Sequence, residues 1–289
     1  MFTSSRHLPF LVTLLLIALF APPVRAACPD AVTLDQLAAD WLAHRPAAAL
    51  PADLDGNAAL CAQAGLLARL IPSQGPAVGY KVGLTTPAMQ QRFHHHGPVR
   101  GVLLRSMLLA DGAEVPADFG ARPVYEADLI AEVADAGINT ARDAAEALAH
   151  VKSIRPFIEL PDLTLASTAP MNGQVLTAIN VGARLGVMGA PLPATAALLV
   201  PLGSMEVVLE DAQSGREISR GKGADNLGHP LNALVWLARD LAAAGGRLEA
   251  GDLVSLGSFT PLQTPVPGQA VRVRYPGLPG TPSVSVRFR

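Results

Sequence analysis

At 289 residues the chain suits one large domain, or one domain with a small subdomain. Half of it is hydrophobic, 16 % is charged and the formal net charge is −2. That balance lacks the basic surplus of a nucleic-acid binder and the charge runs of a disordered tail. Aromatic residues, at 4 %, argue against a stacking platform for bases or sugars.

The chain opens on Arg6 and His7, followed by the apolar run LPFLVTLLLIALFA from Leu8 to Ala21 and the Val24-x-Ala26 pattern. Residues 1–26 read as a secretory signal peptide, too short for a comfortable membrane span. The mature chain would begin near Ala27, periplasmic or secreted. An uncleaved N-terminal anchor is the alternative. Arg25, where a lipobox wants an aliphatic residue, speaks against a lipoprotein. Export would place Cys28 and Cys61 in an oxidising compartment, and the sequence leaves open whether they pair.

Residues 27–110 read as a helical N-terminal subdomain. TLDQLAADWLAHR carries Thr33 as a candidate N-cap and an apolar stripe of Leu34, Leu37, Ala38, Trp41 and Leu42, which Pro46 stops. Gly56 to Ile71 forms a second helix. GYKVGLT, from Gly79 to Thr85, changes to a Gly-bounded strand, and TPAMQQRFHHHG gives a short helix and a loop. Residues 111–289 read as a β-rich domain. RPVYEADLIAEV is its first long strand, with Tyr125, Ala127, Leu129, Ala131 and Val133 on one face and Glu126, Asp128, Ile130 and Glu132 on the other. Helices are expected from Thr140 and from His229 to Gly246, and a hairpin around Ser214-Gly215. DLVSLGSF, QAVRVRY and SVSVRF supply further strands. No βαβ alternation, phosphate-loop pattern or internal repeat occurs, so the class is α+β.

Two carboxylates at i and i+2 on one strand face repel, and each raises the other's pKa. Either water screens both or a cation sits between them. Glu159, in the apolar, proline-flanked stretch RPFIELPDL, is a third acid in need of a partner. If Glu126, Asp128 and Glu159 converge, they form an all-oxygen site suited to Mg²⁺ or Mn²⁺ and poorly suited to zinc. From spacing alone, a solvated strand edge is the commoner outcome.

Five stretches, in this order and spacing, add to that: GYKVGLTTPAMQ, EADLIAEV, FIELPDL, GADNLGHPLNALVWLARDL and LEAGDLVSLGSF. Together they resemble the fumarylacetoacetate hydrolase superfamily, and within it the branch of 2-hydroxypenta-2,4-dienoate (2-oxopent-4-enoate) hydratases and 2-oxo-3-hexenedioate decarboxylases. The resemblance covers nearly the whole chain after the signal segment. It implies a helical N-terminal part followed by a β-rich mixed β roll, a homo-oligomer, and a lyase (hydratase) acting on a small 2-oxo or 2-hydroxydienoic acid. Decarboxylase or acylpyruvate hydrolase chemistry, or an exported binding protein without catalysis, are the alternatives. The family's E-x-E pair and later Glu fall on Glu126, Asp128 and Glu159 as metal ligands, with Asp128 one methylene shorter. The family's substrate-side lysine falls on Lys81, which would orient the acid, hold a water or act as general base.

The departures lie elsewhere. Where many hydratases have DNAS, this chain has Ile179, Asn180, Val181 and Gly182. The acid that many relatives carry before the GVLL-like strand is replaced by HHHGPVR. His94, His95 and His96 read as a solvated loop, or as a lid bringing an acid–base group near the substrate. His229 is expected to cap or pack rather than catalyse.

Overall fold

The computed structural model of the protein describes residues 1, 27–51 and 53–289. The signal segment expected within residues 1–26 lies outside the described residues apart from Met1. In chain order the elements are α1 (Ala31–Leu42), α2 (Gly56–Gln74), β1 (Ala77–Gly83), α3 (Pro87–Arg92), β2 (Val99–Leu104), β3 (Leu108–Ala110), β4 (Ala113–Val115), β5 (Glu126–Val133), α4 (Ala144–Ala149) and β6 (Val151–Leu160). They continue with α5 (Gly173–Ala178), β7 (Leu185–Met188), β8 (Leu192–Pro193), α6 (Leu199–Ser204), β9 (Glu206–Asp211), β10 (Glu217–Lys222), α7 (Asn232–Ala243), β11 (Leu253–Ser255), β12 (Ala270–Arg274) and β13 (Ser283–Phe288).

Local chemistry explains the helix starts, and corrects three of them. The N-cap of α1 is Asp30 rather than Thr33; its side chain accepts the Thr33 N–H at 2.8 Å. An aspartate there satisfies an orphan donor and places negative charge at the positive end of the helix. Asp55 does the same for α2, accepting from Ala58 at 2.8 Å. α4 begins after Asp143, which accepts from Ala145 and Glu146, while Thr140 closes a preceding 3₁₀ turn. α7 starts at Asn232, three residues after His229. The Cys28 and Cys61 sulfurs are joined, fastening the segment before α1 to α2.

Two sheets form among the described residues. The larger runs β2-β1-β11-β5-β6-β7-β3, with β8 added beside β6; the smaller runs β10-β9-β12-β13-β4. β9 and β10 are the hairpin expected around Ser214-Gly215. β1 and β2, which precede residue 111, lie inside the larger sheet, so a boundary at residue 110 runs through continuous hydrogen-bonded strands.

The period of two along β5 separates the two sides of the larger sheet. Ala127, Leu129, Ala131 and Val133 join the main core, together with Val271 and Val273 of β12, Val284 and Val286 of β13, and the apolar face of α7. A second apolar cluster joins α1, α2 and α5 to Val99 and Leu104 of β2. On the opposite face of β5, Ile130 packs with Leu103 and Phe157, next to the two acids.

Candidate active site

Four strands bring their polar residues together on one face of the larger sheet. Glu126 and Asp128 stand at i and i+2 of β5, and Glu159 on β6 is the direct partner of Glu126. Lys81 on β1 is opposite Ser255 on β11, which is in turn opposite Ile130. On its other side Lys81 faces Gly101 of β2. A Cβ at Gly101 would lie 2.9 Å from Lys81 Cγ and 2.7 Å from the Asn180 carbonyl, so glycine there leaves room for the lysine stem.

The four charged residues are buried: Asp128 is 0 % exposed, Lys81 and Glu159 3 %, and Glu126 8 %. Burial rejects the solvated-edge alternative that spacing alone allowed. The Lys81 ammonium forms an ion pair with Glu159 Oε1 and donates a hydrogen bond to the Val181 carbonyl at 3.0 Å. Asn180 and Val181 both occupy the left-handed region, at φ 58° and 54°. A β-branched residue is strained there, and such strain persists only where neighbours hold it. The Val181 side chain packs over Gly83, where a Cβ would come within 2.6 Å of it.

Asp128 sits in a bracket built from distant segments. Its Oδ1 accepts the N–H groups of Leu129 at 2.6 Å and Gly257 at 3.0 Å, and its Oδ2 accepts the Ser255 hydroxyl. Gly257 has φ +105°, and a Cβ there would fall 2.5 Å from the Thr85 side chain. Glycine alone combines that backbone with that approach. The fully buried Asn226 donates to the Leu256 and Gly257 carbonyls at 2.8 and 3.0 Å, holding the bracket in place. From the smaller sheet's side, the Tyr275 hydroxyl donates to Asp128's own backbone carbonyl.

Electrostatics follow from this packing. Burial, followed by the charge of Glu159, pushes the Asp128 carboxyl up to about 7. The same two causes raise Glu126 well above the usual carboxylate range, against the pull of the Lys81 ammonium. One ammonium among three buried carboxylates leaves the cluster short of positive charge. Glu159 Oε1, although paired with Lys81, accepts no hydrogen bond of ordinary geometry. An all-oxygen, anionic, buried donor set of this kind fits a hard divalent cation. Among the described residues no three His, Cys, Asp or Glu side chains stand as a finished ligand set. Asp128 Oδ2 and Glu159 Oε1 are each engaged by a single partner, so each keeps a lone pair that a cation could take.

Other singled-out residues do not join the cluster. His94, His95 and His96 line a separate cavity of about 470 Å³ with Gln90 and Gln91. His95 packs against Gly173, and burial lowers its pKa. Asn180 is spent on the backbone of Val102, accepting its N–H at 2.8 Å and donating to its carbonyl at 2.9 Å. His229 accepts the Leu231 N–H on Nδ1 and donates from Nε2 to the Leu199 carbonyl, the capping task expected of it. Glu132 pairs with Lys152 at the far end of β5. Sequence reasoning missed Ser255, Gly257, Asn226 and Tyr275. The first three lie in the quoted stretches LVSLGSF and GADNLGHP, which was the available signal.

No protein-family model matches the chain. Over 203 residues, which are 64 % of this chain and 69 % of the relative, it is 32 % identical to a 2-keto-4-pentenoate hydratase of Burkholderia vietnamiensis. The chain belongs to the 2-keto-4-pentenoate hydratase family. This family member is also 28 % identical over 233 residues to a TodF product hydratase of Pseudomonas putida, covering 81 % of the chain and 85 % of the relative. It is 28 % identical over 218 residues to a 4-oxalocrotonate decarboxylase of Pseudomonas putida, covering 73 % and 77 %. Among solved structures, a 4-oxalocrotonate decarboxylase from Pseudomonas putida G7, complexed with magnesium and adipate, superposes with a TM-score of 0.78 at 23 % identity, over 90 % of this chain and 97 % of that one. A fumarylpyruvate hydrolase from Pseudomonas aeruginosa, in complex with Mn²⁺ and pyruvate, gives 0.53 at 16 % identity, over 72 % and 88 %. The mixed β roll expected from the sequence is the fold that these solved structures share.

Proposed function

We propose that this family member is a divalent-metal-dependent hydro-lyase that adds water to a small 2-hydroxydienoic acid such as 2-hydroxypenta-2,4-dienoate. The observation that carries this is the buried cluster of Glu126, Asp128, Glu159 and Lys81 on one sheet face. Hydratase names among the relatives support it. In this reading the three carboxylates hold one Mg²⁺ or Mn²⁺. Such a cation, when bound, supplies Lewis-acid polarisation for the carboxylate and 2-oxygen of the substrate.

The chain's own residues do the rest. The Asp128 bracket keeps one ligand side chain oriented, as partners behind a metal ligand commonly do. Burial keeps bulk water from competing at the carboxylates. Lys81, held by the Val181 carbonyl, is the group assigned to move the substrate proton, because Ile179, Val181 and Gly182 carry no titratable side chain and Asn180 is committed to β2. Decarboxylation is the second reading, favoured by the overlap with the decarboxylase fold at 0.78. Purified mature protein should deplete 2-hydroxypenta-2,4-dienoate in a spectrophotometric assay with Mg²⁺ and not with chelator. Turnover of 2-oxo-3-hexenedioate with carbon dioxide release, and none of the dienoate, would favour the second reading.

Export belongs to the same proposal. The basic start and apolar run motivate it, and the Cys28–Cys61 bond is the kind of link that survives outside the cytoplasm. The mature chain should be recovered from the periplasmic fraction starting near Ala27 and free of thiols. Reduction, which reopens a loop of sequence separation 33, should cost about 4 kcal/mol in denaturant titrations. Full-length chain retained in the cytoplasm, or stability indifferent to reductant, would count against this.

A further inference from the structure

The turn that holds Lys81 is itself held by one side chain. Between α5 and β7 the chain passes through Asn180, Val181 and Gly182, which all lie in the left-handed region, at φ 58°, 54° and 66°. Successive left-handed residues, two of them not glycine, need support from their surroundings. The backbone supplies part of it. The Asn180 carbonyl accepts the Ala183 N–H at 3.0 Å, and the Gly182 carbonyl accepts the Asp162 N–H at 2.9 Å. The rest comes from the Asn180 amide, whose residue is 1 % exposed and whose partners are the N–H and the carbonyl of Val102.

β2 ends the larger sheet, with β1 along one side of it. The N–H and carbonyl of a strand residue point the same way, so on its open side Val102 presents one donor and one acceptor. A carboxamide answers both at once, because it carries an acceptor oxygen and donor hydrogens side by side. Asn180 therefore clasps the edge of β2 as a neighbouring strand would. The residues next to the clasp reach Lys81 from two directions. Gly101, which precedes Val102, stands opposite Lys81 and lies against the Asn180 carbonyl. Val181, which follows Asn180, gives the Lys81 ammonium its neutral partner, the carbonyl at 3.0 Å. The other partner, Glu159, belongs to the acid cluster itself.

Resting on the assignment of proton transfer to Lys81 in the preceding subsection, we propose that Asn180 is a positioning residue: its clasp on Val102 keeps the Val181 carbonyl on the Lys81 ammonium and so fixes that group beside the acids. Asn180 acts through Val181 and not on the substrate.

The chain has two other lysines, Lys152 and Lys222, both exposed. Limited acetylation of the mature protein, read by peptide mass spectrometry, thus compares Lys81 with two internal references. Asn180→Gly separates the amide from the backbone, since glycine takes a left-handed φ without steric cost and only the clasp is lost. Asn180→Asp keeps the acceptor and loses the donor. With chelator present, Lys81 of the native protein should be acetylated far more slowly than the references. In Asn180→Gly its rate should rise at least about tenfold, with Lys152 and Lys222 unchanged, and the Val102 amide should lose protection from hydrogen exchange. Asn180→Asp should fall between the two. Calorimetry should find Mg²⁺ affinity retained in Asn180→Gly, while kcat for 2-hydroxypenta-2,4-dienoate drops at least about tenfold at little-changed KM. An unchanged Lys81 rate in Asn180→Gly overturns the proposal. So does equal acceleration of all three lysines, which marks general loosening. The expected Lys81 response in a protein whose native form leaves the dienoate untouched keeps the placement of Lys81 by Asn180 and overturns the functional reading instead.

Discussion

Glu159→Gln is expected to abolish turnover and to weaken Mg²⁺ binding by more than about 100-fold, the upper range for losing a mere supporting partner of a metal ligand. The substitution keeps the shape of the side chain and removes one of three buried negative charges. The fold should survive it. Glu159 is a cause of the raised pKa values of both Glu126 and Asp128, so its neutralisation relieves repulsion as it breaks the Lys81 ion pair. Lys81 keeps its hydrogen bond to the Val181 carbonyl. Lys81→Met should show the opposite split, binding Mg²⁺ while losing turnover. Calorimetry on the three proteins separates the roles. Unchanged Mg²⁺ affinity in Glu159→Gln would mean that the acids form a structural polar cluster and not a metal cup.

With chelator present, the protein is expected to be less stable at about pH 7.5 than at about pH 5.5, and saturating Mg²⁺ should erase the difference. The sign follows from proton binding. The folded-state pKa of Asp128 is raised to about 7 from an ordinary 3.8, so above the ordinary value the folded protein binds more protons than the unfolded chain. Stability from this group is present at low pH and falls as pH rises from about 4 to about 7, by on the order of 4 kcal/mol at most. Glu126 extends the loss in the same direction. The facing groups are Glu159 and Lys81, with the Tyr275 hydroxyl on the backbone behind. Carboxylates with lowered pKa, such as Glu132 and Glu210, act oppositely, but with an ordinary value of 4.5 they have largely finished titrating by about pH 5.5, where the comparison starts. Thermal melts of the native protein and Asp128→Asn check the assignment. A slope equal in the two proteins would remove Asp128 as its source.

Local pattern determined much of this protein. Alternation along RPVYEADLIAEV separated a core face from an acid face, and the structure keeps that division because successive side chains on a strand leave opposite sides. The Ser214-Gly215 hairpin was legible for a similar reason, since a turn and its flanking strands are contiguous. Helix starts were less so: Asp30 and Thr33 can both cap, and so can Thr140 and Asp143, and sequence alone ranks them poorly. The five quoted stretches carried Lys81, Glu126, Asp128 and Glu159, but not whether these residues meet water. Burial was decided by the tertiary structure. β1, β11, β5 and β6 are neighbours in the sheet and far apart in the chain, and Ser255 and Gly257 reach Asp128 across 127 and 129 residues. The same packing joined Cys28 to Cys61. Side-chain period is a property of the chain itself, whereas desolvation and pairing exist only once distant strands share a sheet.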